Sequence, residues 1–480
     1  MQKSTKPVSG AAKDALLKRF ADIVGPEHVL VDPDQQLPYV REWRDKYFGT
    51  ALAVLRPNST EQVAAILKVA DETGTAIVPQ SGNTGLVGGQ VPDETGTEVV
   101  LSLARMNRIR AIDATGYSMT VEAGVTLAEA QDAAAKAGRL YALSLPSEGT
   151  CRIGGNLSTN AGGVNVLAYG NARAQVLGLE VVLADGRVWN GLKALKKDNT
   201  GYDLKDLFIG AEGTLGIITA AVLRLLPLPA ERATAMVAID SPETALRLFT
   251  MAQDRAGSSL TGFELLARIC VETVLNVIEG TRDPFDAVHP WYIVLEVSGL
   301  KEDGSAHAIM EQLLEEAFGE GLLRDAVIAT SLTQANALWR LREAISEAQK
   351  SFGGNVKHDV SVPIARIPEF IRRADELVAG LCPGARPVAL GHFGDGNIHY
   401  NVAQPVGADT KAFLARWDEI MNAVHGLVIS MNGSISAEHG IGRMKREELA
   451  AAKSNVEMDL MRAIKAAFDP KGILNPGKVV

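Results

Sequence analysis

Cysteine is scarce in this chain. Cys151, Cys270 and Cys382 are its only three thiols in 480 residues, scattered and without metal-type or redox-type spacing. They leave no disulfide framework to read and suit a reducing compartment, so a cytoplasmic location is expected. No apolar run approaches the roughly 20 residues needed to span a bilayer. A basic surplus is also missing: 48 Lys and Arg stand against 57 Asp and Glu, a net charge of −9. That balance argues against nucleic acid or an anionic membrane surface as partner. Two nucleotide signatures are absent as well. No Gly-x-Gly-x-x-Gly sits at a strand-to-helix junction, which disfavours NAD, and no Gly-Lys-Ser/Thr appears, which counts against ATP hydrolysis. Internal repeats and low-complexity stretches are lacking too.

What is present is ordinary globular material, 46% hydrophobic and 22% charged, in a chain too long for one core. The start, residues 1–10, is polar, and Ala11 to Leu30 reads as a modest amphipathic helix rather than a signal peptide. From Ala51 to about Pro227 strands and helices mix with many glycines. Ala51–Arg56, Ala76–Pro79, Glu98–Leu103, Ser118–Ala123 and Val176–Leu183 read as strands. Thr60 opens a helix with Val63, Ile66, Leu67 and Ala70 on one face, and Asp185-Gly186 turns a hairpin. Leu226-Pro-Leu-Pro229 marks a boundary. Beyond it, strands (Thr234–Ile239, Trp291–Val297) alternate with helical stretches (Pro242–Ala256, Ala306–Glu320, Leu332–Gln349). That alternation predicts an α+β layer with helices on one face of an antiparallel sheet. A last helical stretch, Glu447–Phe468, leads to Asp469-Pro-Lys-Gly472 and the tail through Asn475-Pro476.

Three glycine-rich segments share one chemistry: Pro79-Gln-Ser-Gly-Asn-Thr-Gly-Leu86 with its continuation to Gln90, Pro146 to Gly163, and Gly210-Ala-Glu-Gly-Thr-Leu-Gly216. Glycines let backbone N–H groups close around an anion and adopt positive φ. Ser81, Asn83, Thr84, Ser158, Thr159 and Asn160 add neutral donors, so a pyrophosphate could be cradled without lysine. Any one segment alone could be a tight turn; three within one α/β region point to a bound dinucleotide.

Near the other end, His392 and His399 bracket Gly394-Asp-Gly-Asn397, and Glu438-His439 follows. A hairpin looped at 394–397 would pair His392 with His399, side chains roughly 5 Å apart on one face, with Asn401 on that same face. Two imidazoles side by side plus a carboxylate suit a zinc-like divalent ion with an open position, although His-x6-His alone also fits two partly buried histidines. Iron, manganese and cobalt suit the same donors. Asp395 reads as a turn residue.

Gln80-Ser-Gly-Asn-Thr-Gly-Leu86, Gly154-Gly-Asn-Leu-Ser-Thr-Asn-Ala-Gly-Gly163 and Gly213-Thr-Leu-Gly-Ile-Ile218 resemble the FAD-binding segments of the vanillyl-alcohol oxidase/p-cresol methylhydroxylase fold. Gly391-His-Phe-Gly-Asp-Gly-Asn-Ile-His399, Ser436-Ala-Glu-His-Gly440 and Asp469-Pro-Lys-Gly-Ile-Leu-Asn-Pro476 are similar to the D-2-hydroxyacid dehydrogenase branch, which includes D-2-hydroxyglutarate, D-lactate and glycolate dehydrogenases. The resemblance runs from about Ala51 to the last residues. It implies an N-terminal helical segment (1–50), a p-cresol methylhydroxylase-type FAD domain of two α/β subdomains (51–227), an α+β substrate cap carrying the metal site (228–440), and a C-terminal helical segment returning to the FAD domain (441–480). FAD contacts carried over by position are Pro79, Gln80, Ser81, Gly82, Asn83, Thr84, Gly85, Leu86, Ser102 and Asn107, then Pro146, Gly149, Thr150, Gly154, Gly155, Asn156, Ser158, Thr159, Asn160 and Gly163, and finally Gly213, Ile218 and Asn475. Relatives that attach FAD covalently through the first loop use a histidine, which Gly82-Asn83-Thr84 lacks, so the cofactor is expected to be non-covalent.

The chemistry expected is oxidation of a D-2-hydroxy acid to the 2-oxo acid. A divalent metal, zinc foremost, held by His392, His399 and Glu438 would act as a Lewis acid on the substrate oxygens. His439 is the candidate base, and the hydride would pass to flavin N5. By resemblance, Arg342 and Lys357 grip carboxylates, with Ser346 one helical turn from Arg342, and Asn401 and His439 completing the substrate set. Two cations favour D-2-hydroxyglutarate or D-malate over D-lactate, since D-lactate-directed relatives tend to carry an uncharged residue where Lys357 stands. A metal-free alcohol or sugar-lactone oxidase, and a non-catalytic flavoprotein subunit of an oxidase complex, are the competing readings; neither needs the metal set. The electron acceptor is left open among an electron-transfer flavoprotein, a quinone and a cytochrome, as is a homodimer.

Overall fold

The computed structural model describes residues 10–480, so most of the polar start lies outside the described residues. Contacts divide the chain into two units. One holds the residues up to Gly162, then Asn171–Pro227 and Glu438–Val480; the other holds Gly163–Gly170 and Leu228–Ala437. The described stretch 10–50 therefore joins the first unit instead of standing apart, and the crossing expected at 440 lies after Ala437. Gly163–Gly170, expected within the FAD domain, groups with the second unit, and Leu167 packs against that unit's core.

In the first unit, Ser59 caps the helix Thr60–Thr73 by accepting the Gln62 N–H, and Gly74 (φ 69°) ends it in the left-handed region. Val63, Ile66, Leu67 and Ala70 are fully buried on its inner face, each large side chain contributing about 1.5–3 kcal/mol by leaving water. They cover a small sheet in which Ala53–Leu55 and Ile77–Gln80 flank Val99–Ser102 in parallel, with Val29–Leu30 antiparallel at one edge. Its strands are mostly apolar because both faces are covered: Ala53 and Leu55 enter one core, Val54 the other. A five-stranded antiparallel sheet follows, ordered Ile109–Asp113, Ser118–Glu122, Ile217–Arg224, Val176–Val182, Val188–Gly191. These are the two α/β subdomains. The tail closes on the first: Ile77 N–H donates to Ile473 O and Asn475 N–H to Ile77 O, both at 2.8 Å. The helical stretch expected at 447–468 breaks into Arg446–Ala452 and Asn455–Phe468, because Ser454 starts a new helix with a capping box to Glu457.

The second unit is built on an eight-stranded antiparallel sheet. Its order is Asp325–Ile328, Glu231–Ile239, Trp291–Gly299, Leu260–Ala267, Arg386–His392, Asn397–Ala403, Asn355–Val356, with Val360–Ser361 also along Asn397–Ala403. Helices cover both faces, not the one expected. Pro242–Ala256, Ser305–Gly319, Ile367–Leu381 and Trp417–Ser430 bury Ala235, Val237, Leu265, Ile293 and Tyr400. Arg268–Val277 and Leu332–Glu343 bury Met236, Leu266, Tyr292, Val294 and Leu390, the alternate residues of the same strands. The helix expected to run from Leu332 to Gln349 stops at Glu343; Ile345–Ala348 is a separate turn after Ala344. Among the described residues no helix is long and apolar enough to cross a membrane.

Candidate active site

The hairpin that carries the histidines has a different register from the one expected. His392 pairs with Asn397, and His399 pairs with Leu390. The loop is Phe393–Gly396, with Asp395 accepting the Asn397 N–H at 3.0 Å and Gly396 at φ 90°. A Cβ on Gly396 would lie 2.5 Å from Val362 O, so glycine is required there. The register differs from expectation by two residues, not one, and a two-residue slip keeps every side chain on its face. His392 and His399 are therefore diagonal neighbours, ring centroids 5.7 Å apart at 76°.

One ligand atom from each of His392, His399 and Glu438 falls within 4.8 Å of the other two. The segment before Glu438 is held by Ala437 N–H on Asp359 O and by the Ser361–Ser434 bridge. A second group, Asp359, Glu438 and His439, is equally close. Two imidazoles and a carboxylate fit a divalent ion that keeps an open position. Beneath the first group lies a residue sequence reasoning missed. Glu264, the direct cross-strand partner of His392, accepts from its Nδ1 at 2.7 Å through Oε1, and from Arg342 Nε at 2.7 Å through Oε2. Burial pushes the Glu264 carboxyl up, but His392 and Arg342 beside it outweigh burial and hold it down at about 2. Its sequence signal was a lone acid inside the apolar run Leu260–Ala267.

Arg342 is buried, and beyond its Nε contact its Nη groups make no hydrogen bond among the described residues. Ser346 is exposed on the turn after the helix break. Lys357 is half-buried between the strands Asn355–Val356 and Val360–Ser361. Asn401, expected at the substrate, is buried with its Nδ2 on Gln349 and its Oδ1 accepting the His358 N–H. Its amide braces the sheet edge. Asp359, also missed, is buried and accepts from Asn397 Nδ2 at 3.1 Å.

The three glycine segments converge within the first unit. A Cβ on Gly82 would sit 2.6 Å from Thr150 O, one on Gly155 would sit 3.3 Å from Ser81 Cβ, and one on Gly213 would sit 2.3 Å from Pro79 Cγ. Gly210 N–H and Glu212 N–H donate to Leu157 O and Ser158 O. Most polar side chains expected at the cofactor also make hydrogen bonds within this cradle. Gln80 Nε2 donates to Tyr39 O and Gln90 O, Ser81 Oγ to Ala123 O, and Asn83 Nδ2 to Pro38 O and Arg41 O. Ser158 and Thr159 donate to Gly154 O and Gly155 O, Asn160 accepts the Arg173 N–H, and Asn475 Nδ2 bridges Gly89 O and Glu212 O. Asn156 is buried, Ser102 is buried at the end of its strand, Ile218 is a core side chain, and Pro146 flanks the exposed Gly149 and Thr150. Asn107 is exposed, on a surface groove of about 370 Å³ with Glu129 and Lys136. What remains for a ligand is mostly main chain, together with Asn156 Nδ2, a buried donor without a hydrogen-bond partner among the described residues. From Gly82 to Leu86 no backbone N–H donates a hydrogen bond among the described residues. A run of unmet amides fits a pyrophosphate with no cationic partner.

Residues 51–191 match the FAD binding domain, and residues 228–479 match the C-terminal domain of FAD linked oxidases. The chain belongs to the FAD-linked oxidase family. A rice (Oryza sativa subsp. japonica) protein named probable mitochondrial D-2-hydroxyglutarate dehydrogenase is 38% identical over 464 residues, 96% of this chain and 81% of its own. A D-2-hydroxyglutarate dehydrogenase of Xanthomonas citri pv. viticola is 39% identical over 443 residues, 92% of each chain. Among solved structures, p-cresol methylhydroxylase with substrate bound superposes with TM-score 0.78 over 98% of each chain at 19% identity, a likeness of fold. This FAD-linked oxidase is thus an FAD-dependent oxidoreductase of the branch expected from its motifs, and its α+β fold is of the p-cresol methylhydroxylase type.

Proposed function

We propose that this chain oxidises a D-2-hydroxy acid to the 2-oxo acid, with D-2-hydroxyglutarate as the preferred substrate. The observation that carries the reading is the convergence of His392, His399 and Glu438, with His439 next in the chain. Bound FAD, held non-covalently by the amides of Gly82–Leu86 and the other two glycine segments, supplies the acceptor for the hydride leaving C2. A divalent ion on His392, His399 and Glu438, with zinc the best match to the donors, supplies Lewis acidity. His439 takes the hydroxyl proton as the general base. Arg342 offers its unused Nη donors to a substrate carboxylate, where a bidentate pair is possible, and Lys357 serves the second carboxylate. The relatives named D-2-hydroxyglutarate dehydrogenase support that substrate.

The test is anaerobic mixing of the FAD-loaded protein with D-2-hydroxyglutarate, D-malate and D-lactate, with metal analysis of the same sample. Bleaching of the flavin is expected, fastest with D-2-hydroxyglutarate, and is expected to stop after chelation. No bleaching by any D-2-hydroxy acid would remove the reading; bleaching that survives complete metal removal would remove the metal from it.

A further inference from the structure

We propose that Glu264 is the positioning residue that decides which nitrogen of His392 can ligate a metal ion, and that Arg342 locks Glu264 into that role. The inference deepens the metal reading given above and rests on it.

The argument is one of hydrogen-bond polarity. Glu264 on the strand Leu260–Ala267 is in register with His392 on Arg386–His392, so their side chains share a face without help from any loop. The Oε1–Nδ1 distance is 2.7 Å and the Oε2–Nε distance to Arg342 is 2.7 Å, with Glu264 1% and His392 6% exposed. A guanidinium has donors only, so Oε2 must accept. An ionised carboxylate has no proton to give, so Oε1 must accept as well, and the His392 ring proton must sit on Nδ1. A neutral imidazole carries one N–H, which leaves the Nε2 lone pair as the ligating atom. The chain of donors and acceptors runs from Arg342 to Glu264 and from His392 to Glu264, and it has one direction.

Glu264→Gln preserves shape but not that direction. Arg342 would claim the new amide's carbonyl oxygen, turning its NH2 toward His392. Nδ1 would then have to accept, and the ring proton would move to Nε2, closing that nitrogen to metal. Removing the arginine as well would let the amide turn over and accept from Nδ1 again. Partners of this kind behind a metal-binding histidine commonly change metal affinity about 10- to 100-fold.

The experiment titrates Zn2+ into chelator-stripped, FAD-loaded protein against a chromophoric chelator. It compares wild type, His392→Ala, Glu264→Gln, Arg342→Met and the Glu264→Gln/Arg342→Met pair. Wild type is expected to take one Zn2+ and His392→Ala none. Glu264→Gln should bind about 10- to 100-fold more weakly with unchanged flavin absorbance. Arg342→Met should restore affinity in the glutamine background but not raise it in the wild-type background, a non-additivity that loss of charge alone would not produce. Wild-type affinity in Glu264→Gln, or equal effects of Arg342→Met in both backgrounds, would overturn the inference while leaving the metal site standing. Failure of wild type to bind Zn2+ would overturn the metal reading itself, and the inference with it. If Glu264→Gln does not load FAD, 15N-histidine NMR of metal-free wild type, assigned against His392→Ala, decides the matter. The Nδ1–H tautomer supports the inference and the Nε2–H tautomer overturns it.

Discussion

The Glu212 carboxylate accepts the backbone N–H of Ile441 at 2.7 Å, although 229 residues separate the two in sequence. Its other oxygen accepts from Gly442 at 2.8 Å, and Gly440 lies against the same carboxylate. The third glycine segment thus fixes the main chain that follows His439. Burial raises the Glu212 carboxyl above its ordinary range, opposed by the two N–H groups and by Lys445. A raised folded-state value means this group favours the fold fully below its unfolded value of 4.5, and the benefit is lost as pH rises through the folded value. Glu212→Gln should flatten that part of the stability profile. It should also cost about 1–3 kcal/mol near neutrality by leaving one N–H facing a donor. Urea titrations from pH 4 upward check both. An unchanged pH profile would mean that Glu212 does not titrate in that window.

Gly82→Ala should loosen FAD without unfolding the protein. The added methyl would meet Thr150 O at 2.6 Å and Cys151 Cα at 2.9 Å, both main-chain atoms that cannot move alone. The first two glycine segments would have to part. The flavin-to-protein absorbance ratio after gel filtration is expected to fall several-fold, and full FAD retention would contradict the cradle described here.

His439→Ala should retain both FAD and metal and lose about 10²- to 10⁴-fold in turnover, the usual worth of a positioned base. Reductive half-reaction rates with D-2-hydroxyglutarate measure it. Normal turnover would take the base assignment away from His439.

Lys357→Met should raise KM for D-2-hydroxyglutarate and D-malate more than for D-lactate, because only the dicarboxylates present a second anion to this half-buried cation. Equal effects on all three acids would show that Lys357 does not read the distal carboxylate.

Local chemistry was the legible part of this sequence. Helix Pro242–Ala256 could be placed to the residue because Ser241, Pro242 and the apolar period mark it, and the glycine segments announce their amides. Partners remote in the chain could not be read. Glu264 meets His392 across 128 residues, and nothing local to its strand names that partner. The hairpin register was misjudged because Gly394 to Asn397 carries turn residues beyond the true loop, yet the histidines stayed on one face since the slip was even. Gln80, Ser81, Asn83 and Asn475 are polar and stand beside glycine, which made them look like ligand donors. Their hydrogen bonds go to carbonyls from other elements, and only tertiary structure reveals those.

Because Asn475 and Leu474 complete the edge of the sheet that begins near Ala53, the flavin-binding half is made of pieces lying on either side of the other half. A ribosome must emit the whole stretch from Leu228 to Ala437 before the last piece arrives, roughly 10 to 40 s at common elongation rates. The nascent first piece therefore waits with its sheet edge open. The intervening half, nearly continuous in sequence, is free to fold during that wait, while the pairing of Ile473 to Asn475 with Ile77 comes only after it has emerged.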